Sequence, residues 1–169
     1  MTLNSLEDVL REQVEDLLSA ENQLVKALPK VAQAAHTPEL KQAFESHLDE
    51  TRGHVTRLQE VAGQLGIQPS PATTCKAMQG LVAEGDEIIG MTGDPIAKDA
   101  ALIGAAQRIE HYEIAAYGTA RTLAGELEHG DAEQLLSDTL DEESAADKLL
   151  TKIATGGMFR SGVNQKVPQ

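Results

Sequence analysis

The strongest constraint on the fold of this chain is a regular run of apolar and small residues between positions 37 and 66. Their spacing alternates steps of four and three, which places them on one side of an α-helix and is typical of the seam between packed helices. Thr37 and Pro38 before the run match a cap and a proline at the first helical position, and Gly66 ends it. We therefore predict a long helix whose buried face consists of Phe44, Leu48, Thr51, Val55, Leu58, Ala62 and Leu65.

Three further long segments show helical periodicity, and a shorter one lies between them. The long segments cover residues 6–35, 95–127 and 131–154, and a weaker helix is predicted at residues 74–90. Pro29 removes one backbone donor inside the first segment, so we expect a kink there. No segment of the sequence alternates convincingly with a period of two. The pattern therefore predicts an all-α protein.

The order of these segments predicts two antiparallel helical hairpins joined by a long crossover that carries the short helix. A ferritin-like four-helix bundle with one long connection is the commonest fold of this kind. We predict that residues 1–155 form this bundle. Residues 156–169 are polar and rich in glycine, so we expect them to form a flexible C-terminal tail.

The charge of the chain argues against some classes of partner. Its 169 residues carry a formal charge of −13 and give a pI near 4.7. Nucleic acid and anionic membranes would be repelled by such a surface, and cations are its natural ligands. The single cysteine, Cys75, fits a reducing compartment, and no secretory signal is visible at the start of the sequence. We therefore expect a cytoplasmic protein.

Acidic residues interrupt the apolar faces of three of the long helices. Glu21, Glu110, Glu113 and Glu143 each have apolar or small residues within two turns on the same face. An isolated carboxylate that leaves water either takes up a proton or finds a partner, and basic residues are scarce on these faces. Each acid alone has an ordinary alternative as a solvated or edge residue. Together they predict a pair of divalent cations held by oxygen ligands from several helices.

The second helix offers ligands on a face of its own. His47, Glu50 and His54 lie three and four residues apart, so they share one narrow face. At 100° per residue, Glu50 lies about 120° from the centre of the predicted seam. A flanking position on an inner helix can still point into the bundle. The alternative for each histidine is a surface or core position without a metal.

Several short stretches resemble the YciE/YciF family of bacterial stress-associated proteins, in the same order from about Leu6 to Ala154. The resemblance implies a ferritin-like fold, a homodimer and a link to stress responses. The stretches that carry it are residues 19–24, 47–51, 99–103, 110–115 and 139–143.

The resemblance also implies a set of metal ligands. Ferritin-like di-metal proteins supply one glutamate from each of two helices and a Glu-x-x-His pair from each of the other two. By this pattern Glu21 and Glu110 are the single acids, and Glu50 and Glu143 bridge the two metals. Glu113 matches an extra glutamate of rubrerythrin-like sites.

The nitrogen ligands depart from that pattern. Gly53 and Ala146 stand three residues after the two bridging acids, and His54 and Asp147 follow one position later. His47, one turn before Glu50, is a competing nitrogen donor. We expect iron at this centre, with manganese as the alternative. The expected ligands are Glu21, Glu50, His54, Glu110, Glu113, Glu143 and Asp147.

If the di-metal centre is catalytic, we expect redox chemistry, either oxidation of Fe(II) or breakdown of peroxide. Tyr112 and Tyr117 are candidates for positions near the centre, and packed phenols are the alternative. The alternative function is that of a structural or interaction protein with a static or vestigial metal site. Iron storage in a closed cage is a weaker alternative, because no sequence feature indicates an assembly of many subunits. The sequence leaves open whether the protein is an enzyme.

Overall fold

The computed structural model describes residues 2–70, 72–157 and 160–168. Within these residues the chain forms five α-helices, a short two-stranded antiparallel sheet and a short 3-10 helix. The helices are α1 (Leu6–Ala34), α2 (Pro38–Gln64), α3 (Lys76–Gly90), α4 (Pro95–Glu126) and α5 (Gly130–Thr155). The strands are β1 (Gly156–Gly157) and β2 (Arg160–Ser161), and the 3-10 helix covers Val163–Gln165.

The long helices begin at caps that the sequence provides. The side chain of Ser5 accepts a hydrogen bond from the backbone N–H of Asp8 at the start of α1, and Asp94 accepts two at the start of α4. These bonds satisfy donors that have no partner within the first helical turn. Pro29 lies inside α1, and the helix continues through it to Ala34.

The four long helices form a closed bundle. Short loops join α1 to α2 and α4 to α5, and these two hairpins pack together through contacts of α2 with α5 and of α1 with α4. The crossover between the hairpins contains α3, which packs against α1 and α4. This confirms the predicted all-α four-helix bundle with a short helix in the long crossover. None of the described helices combines the length and the apolar composition that crossing a membrane requires.

The apolar core consists of two clusters on either side of the middle of the bundle. One contains Leu24, Phe44 and Ile153, and the other contains Val14 and Leu58. Along each long helix, the residues between the two clusters include buried polar side chains. The bundle therefore has a polar layer at mid-height, with packed apolar side chains above and below it.

The described part of the C-terminal tail contacts the bundle. Gly156 has a φ of 77°, and a Cβ atom there would lie 2.4 Å from the carbonyl oxygen of Arg160, so the turn requires glycine. The 3-10 helix packs against α4 and α5, and Val163 is buried in the core. The boundary at residue 155 and the flexibility of the tail stay predictions.

Candidate metal centre

The polar layer contains six side chains that carry metal-binding atoms, and all of them are buried. Each of the four long helices contributes at least one, and the most exposed of the six retains 7% of its accessible surface. They are Glu21 from α1, His47 and His54 from α2, Glu110 and Glu113 from α4, and Glu143 from α5.

Both histidines lie on the buried seam of α2, one position away from where the sequence pattern placed apolar residues. The predicted seam contained Leu48 and Val55, which are half-buried, whereas the adjacent His47 and His54 are buried. The observed seam still alternates steps of four and three. It consists of Leu40, Phe44, His47, Thr51, His54, Leu58 and Val61.

The six side chains form two groups that share one residue. His47, Glu110, Glu113 and Glu143 form the first group, and Glu21, His54 and Glu143 form the second. In each group, one ligand atom from every member lies within 4.8 Å of the others. Two adjacent cation positions with a common carboxylate would fit this arrangement.

The two oxygens of Glu143 face different histidines. Its Oε1 atom lies 2.9 Å from Nδ1 of His54, and its Oε2 atom lies 3.8 Å from Nε2 of His47. The other acids complete each side, with Glu21 Oε1 at 3.3 Å from His54 Nδ1 and Glu110 Oε1 at 3.5 Å from His47 Nε2. Glu143 is therefore the residue that the two groups share, with one oxygen on the side of each histidine.

Most of the polar atoms in this layer have no hydrogen-bond partner among the described residues. Both oxygens of Glu113 and of Glu143 lack one, as do one oxygen each of Glu21 and Glu110 and the Nδ1 atom of His54. Oε1 of Glu143 and Nδ1 of His54 are close, at 2.9 Å, but do not form a hydrogen bond. Buried polar atoms in native proteins are almost always paired. So many unpaired polar atoms, converging from different helices, form a group that could hold metal ions.

Asp99 shows what a buried acid with a structural role looks like in the same protein. It is fully buried at the start of α4, and its two oxygens accept hydrogen bonds of 2.7 Å from the backbone N–H groups of His36 and Thr37. It thereby holds the loop between α1 and α2. Within the part of the chain that the structure describes, no backbone N–H group donates to the glutamates of the polar layer, so burial alone does not explain them.

The metal-free layer carries strongly shifted pKa values. Burial raises the pKa of Glu110 and Glu113 well above the ordinary value, and the neighbouring Glu143 raises both further. Burial disfavours the charged form of His54, but Glu143 and Glu21 outweigh it and raise the pKa of His54 to about 10. Without a cation, the layer therefore holds extra protons near neutral pH.

Each histidine has an acid behind it, on the side away from the centre. Glu142 lies 2.9 Å from Nε2 of His54, and Glu50 lies 3.4 Å from Nδ1 of His47. Arg57 holds Glu142 with two hydrogen bonds of 2.5 and 2.7 Å and lowers its pKa. Carboxylates in this position fix which histidine nitrogen faces a metal. Sequence reasoning missed this contribution of Glu142 and Arg57, which lie 85 residues apart.

The two tyrosines differ in their relation to the centre. Tyr117 is fully buried and donates a 2.5 Å hydrogen bond to Oε1 of Glu21, so it contacts a candidate ligand. Tyr112 donates to Asp16 and lies 3.0 Å from the sulfur of Cys75, outside both groups.

The structure brings together five of the seven predicted ligands and adds His47. Glu50 and Asp147 lie outside both groups. The side chain of Glu50 is 49% exposed, and Asp147 is half-buried and accepts a hydrogen bond of 2.9 Å from Gln107. The five predicted ligands that converge are Glu21, His54, Glu110, Glu113 and Glu143.

Comparison with known proteins gives the family of the chain. Residues 5–167 match the family described as a domain of unknown function, DUF892. The chain is 42% identical over 165 residues to protein YciF of Escherichia coli strain K12, covering 98% of this chain and 99% of YciF.

Solved structures agree with this match. The crystal structure of the E. coli stress protein YciF has a TM-score of 0.90 and 41% identity, covering 98% of this chain and all of that chain. YcfI from Rhodopseudomonas palustris, which is described as a candidate structural protein, has a TM-score of 0.85 and 42% identity, covering 89% and 96% of the two chains. The chain therefore belongs to the DUF892 family, together with YciF, as its resemblance to the YciE/YciF proteins implied.

Proposed function

We propose that this protein holds two redox-active divalent metal ions, iron or alternatively manganese, and uses them in a bacterial stress response. The observation that carries the proposal is the convergence of buried, unpaired carboxylate and imidazole atoms from all four long helices into two groups that share Glu143. The expected reaction is oxidation of Fe(II) or breakdown of peroxide.

The donor set supports iron or manganese. Four carboxylates and two imidazoles converge, and the four negative charges equal the charge of two divalent cations. Imidazole ligands suit iron, whereas carboxylates suit manganese and other hard cations. Glu143 would bridge the two ions, His47 would bind one of them and His54 the other.

The bound metals would supply the change of oxidation state that side chains of this kind cannot provide. The protein residues have the task of holding the ions apart from bulk water in one geometry. Glu21 is fixed by Tyr117, and His54 is fixed by Glu142. The apolar clusters above and below the layer separate it from the two ends of the bundle.

A static metal site is the second candidate function. Each long helix contributes a ligand, so bound ions would tie the two hairpins together even without turnover. The description of YcfI as a candidate structural protein favours this alternative.

Metal content is the first test. Protein purified without chelator is analysed for metals, before and after anaerobic incubation with Fe(II) or Mn²⁺. We expect about two ions per chain. If none binds even after incubation, the proposal is wrong.

Turnover separates the two candidate functions. Fe(II) is added aerobically to the wild type and to a Glu21→Gln/Glu110→Gln double variant, while oxygen consumption is recorded and peroxide is tested in a parallel experiment. A faster reaction with the wild type supports redox chemistry. Two bound ions with rates equal to those of the double variant support the static site. Glu60→Gln, an exposed acid on α2, is the control for the loss of charge.

A homodimer in the cytoplasm completes the proposal. The dimer follows from the family resemblance, and the compartment follows from the single cysteine, which fits reducing surroundings. Light scattering of the purified protein and fractionation of the cells test these two points.

A further inference from the structure

An opening between α2 and α5 leads from the surface to the candidate centre. It has a volume of about 580 Å³, part of it open to solvent, and it reaches His47 and Glu110. Its walls include the small residues Ser46 on α2 and Ala146 on α5, together with the larger apolar side chains of Phe44, Leu149 and Leu150. Glu50 lies at its rim with a half-exposed side chain.

We infer that divalent cations reach the centre through this opening and that Glu50 is the carboxylate they meet at its mouth. The inference rests on the proposed function. It assigns Glu50 to uptake, whereas the family pattern made it a bridging ligand.

The inner end of the opening points to a cation. Glu110 is 3% exposed, and its Oε2 atom has no hydrogen-bond partner among the described residues. The acids that line the opening within the described residues are Glu50, Glu110 and Glu142, and the side chain of Glu50 is 49% exposed whereas Glu110 is buried. An ion that enters at the exposed Glu50 would reach His47 and Glu110 deeper in the same opening, and these two belong to the first group of candidate ligands.

Glu50 is the acid of the rim that is available to an incoming ion. Glu142 is neutralised by its two hydrogen bonds to Arg57 and also contacts His54. Glu50 forms no ion pair with a lysine or arginine among the described residues, and its contact with His47 is 3.4 Å long. Its charge is thus free to attract a cation and to pass it to the imidazole beside it.

A second cavity, of about 540 Å³, reaches the same two residues from the side of α1 and α4. Its walls are mainly apolar, with Leu24, Leu28 and Ile109 among them. The acid at that cavity, Asp86, is already paired with Lys30 at 3.3 Å. A hydrated cation would lose its water along such walls without compensation. The opening between α2 and α5 also has apolar walls but adds Glu50 and Glu142, so it is the favoured route.

The rate of metal uptake tests the role of Glu50. Metal-free wild type and Glu50→Gln are mixed with Co²⁺ in a stopped-flow instrument, and the absorption of bound Co²⁺ is followed. We expect Glu50→Gln to bind as many ions as the wild type, with an association rate lower by about threefold to tenfold and less sensitive to salt. Glu60→Gln makes the same change on an exposed part of α2 and should load at nearly the wild-type rate.

A pair of plugging variants tests the route without changing any charge. Ala146→Met narrows the opening between α2 and α5, and Ala106→Met narrows the apolar cavity. Only Ala146→Met is expected to slow uptake of Co²⁺, with the final number of bound ions unchanged.

Four outcomes of these experiments would overturn the inference or the proposed function. If Glu50→Gln lowers the number of ions bound at saturating Co²⁺, Glu50 is needed to hold the metal, as a ligand or as the support of His47, and the inference is overturned. It is also overturned if Glu50→Gln and Ala146→Met both load at the wild-type rate, or if Ala106→Met is the slow variant. If the wild type itself binds no Co²⁺, Fe(II) or Mn²⁺, the proposed function fails first, and the inference fails with it.

Discussion

Replacing Glu113 with glutamine should stabilise the metal-free protein, although it alters a fully buried residue. Glu113 is fully buried, and no described residue forms a hydrogen bond with either of its oxygens. Burial and the nearby Glu143 raise its pKa well above the ordinary value. Without metal the folded protein must therefore keep this carboxyl group protonated at neutral pH, while the unfolded chain ionises it. Glutamine has nearly the same shape and carries no charge, so the variant avoids this cost.

The size of the effect follows from the ordinary pKa of the group, which is 4.5. Keeping such a group protonated at pH 7 costs about 3 kcal/mol, since each pH unit above the ordinary value costs about 1.4 kcal/mol. We expect Glu113→Gln to raise the free energy of unfolding of the metal-free protein by about 2–3 kcal/mol at pH 7, or Tm by roughly 5–10 °C. Near pH 4.5 the gain should vanish, because the unfolded chain is then largely protonated too.

The same substitution should have the opposite effect in the presence of metal. A bound cation removes the cost of ionising Glu113 in the wild type, and the variant has lost one ligand of the first group. Thermal unfolding is therefore measured with chelator and with excess Mn²⁺. We expect the variant to be the more stable protein in chelator and the less stable one in Mn²⁺.

Asp99→Asn is the matched control, because Asp99 is equally buried but has partners. It accepts hydrogen bonds from the backbone N–H groups of His36 and Thr37, so its loss of charge should destabilise the protein by about 1.5–3 kcal/mol with or without metal. If Glu113→Gln destabilises the metal-free protein as Asp99→Asn does, Glu113 has a structural partner, and the reasoning about the polar layer is refuted.

Three further predictions concern the rest of the layer. Glu143→Gln should remove nearly all bound metal, whereas Glu21→Gln should retain about one ion per chain, because Glu143 is the residue that belongs to both groups. Elemental analysis after dialysis measures the metal content of each variant, and equal losses would contradict a bridging role. Metal-free protein should lose stability as pH rises from about 5 to about 9, because the stability contributed by acids with raised pKa, Glu110 and Glu113, is complete below their ordinary value and is lost as pH rises through the raised one. The pKa of His54 is raised to about 10, so its contribution to stability also falls as pH rises. Urea midpoints measured in chelator that rise over this pH range would disprove the prediction. Glu142→Gln should weaken metal binding about tenfold to a hundredfold with an unchanged helical CD spectrum, whereas an unchanged affinity would show that His54 needs no support.

The buried glutamates could be predicted because their signal is local. Glu21 and Glu143 each stand within a helical face of apolar residues, and a helix must bury that face against its neighbours. The acid is then carried into the core with the face, whatever the rest of the chain does. What the local pattern cannot tell is whether the acid finds backbone donors, as Asp99 does, or has none, as Glu113 does. That difference depends on which loop lies opposite.

The seam of α2 was predicted one residue away from its true position because apolar residues stand beside the histidines. Leu48 and Val55 fit the alternation as well as His47 and His54 do, and a pattern based on hydrophobicity selects the apolar pair. In the folded bundle the acids from α1, α4 and α5 interact favourably with the imidazoles of His47 and His54. The two histidines therefore face inward, and Leu48 and Val55 are left half-buried. This preference involves three other helices and has no counterpart in the local sequence.

The departure from the Glu-x-x-His pattern is compensated within α2. The usual pattern would place a histidine three residues after Glu143, where α5 has Ala146. Here His47 and His54 are two helical turns apart, or about 10 Å along the axis, yet their ring centroids are 6.3 Å apart. They approach the two oxygens of Glu143 with different nitrogens, Nε2 of His47 and Nδ1 of His54. One helix thereby supplies a nitrogen to each of the two groups.

Residue 146 on α5, where the usual pattern would place a histidine, is an alanine, and its small side chain affects access to the centre. Ala146 lines the opening between α2 and α5, and Glu50 lies across from it at the rim. A histidine at residue 146 would occupy part of this space with its ring. With both nitrogen donors on α2, the gap stays open to solvent while the six donors remain buried. The unusual placement of the histidines and the access of cations to the centre are therefore two results of the same pair of residues, a small side chain on α5 and a second imidazole on α2.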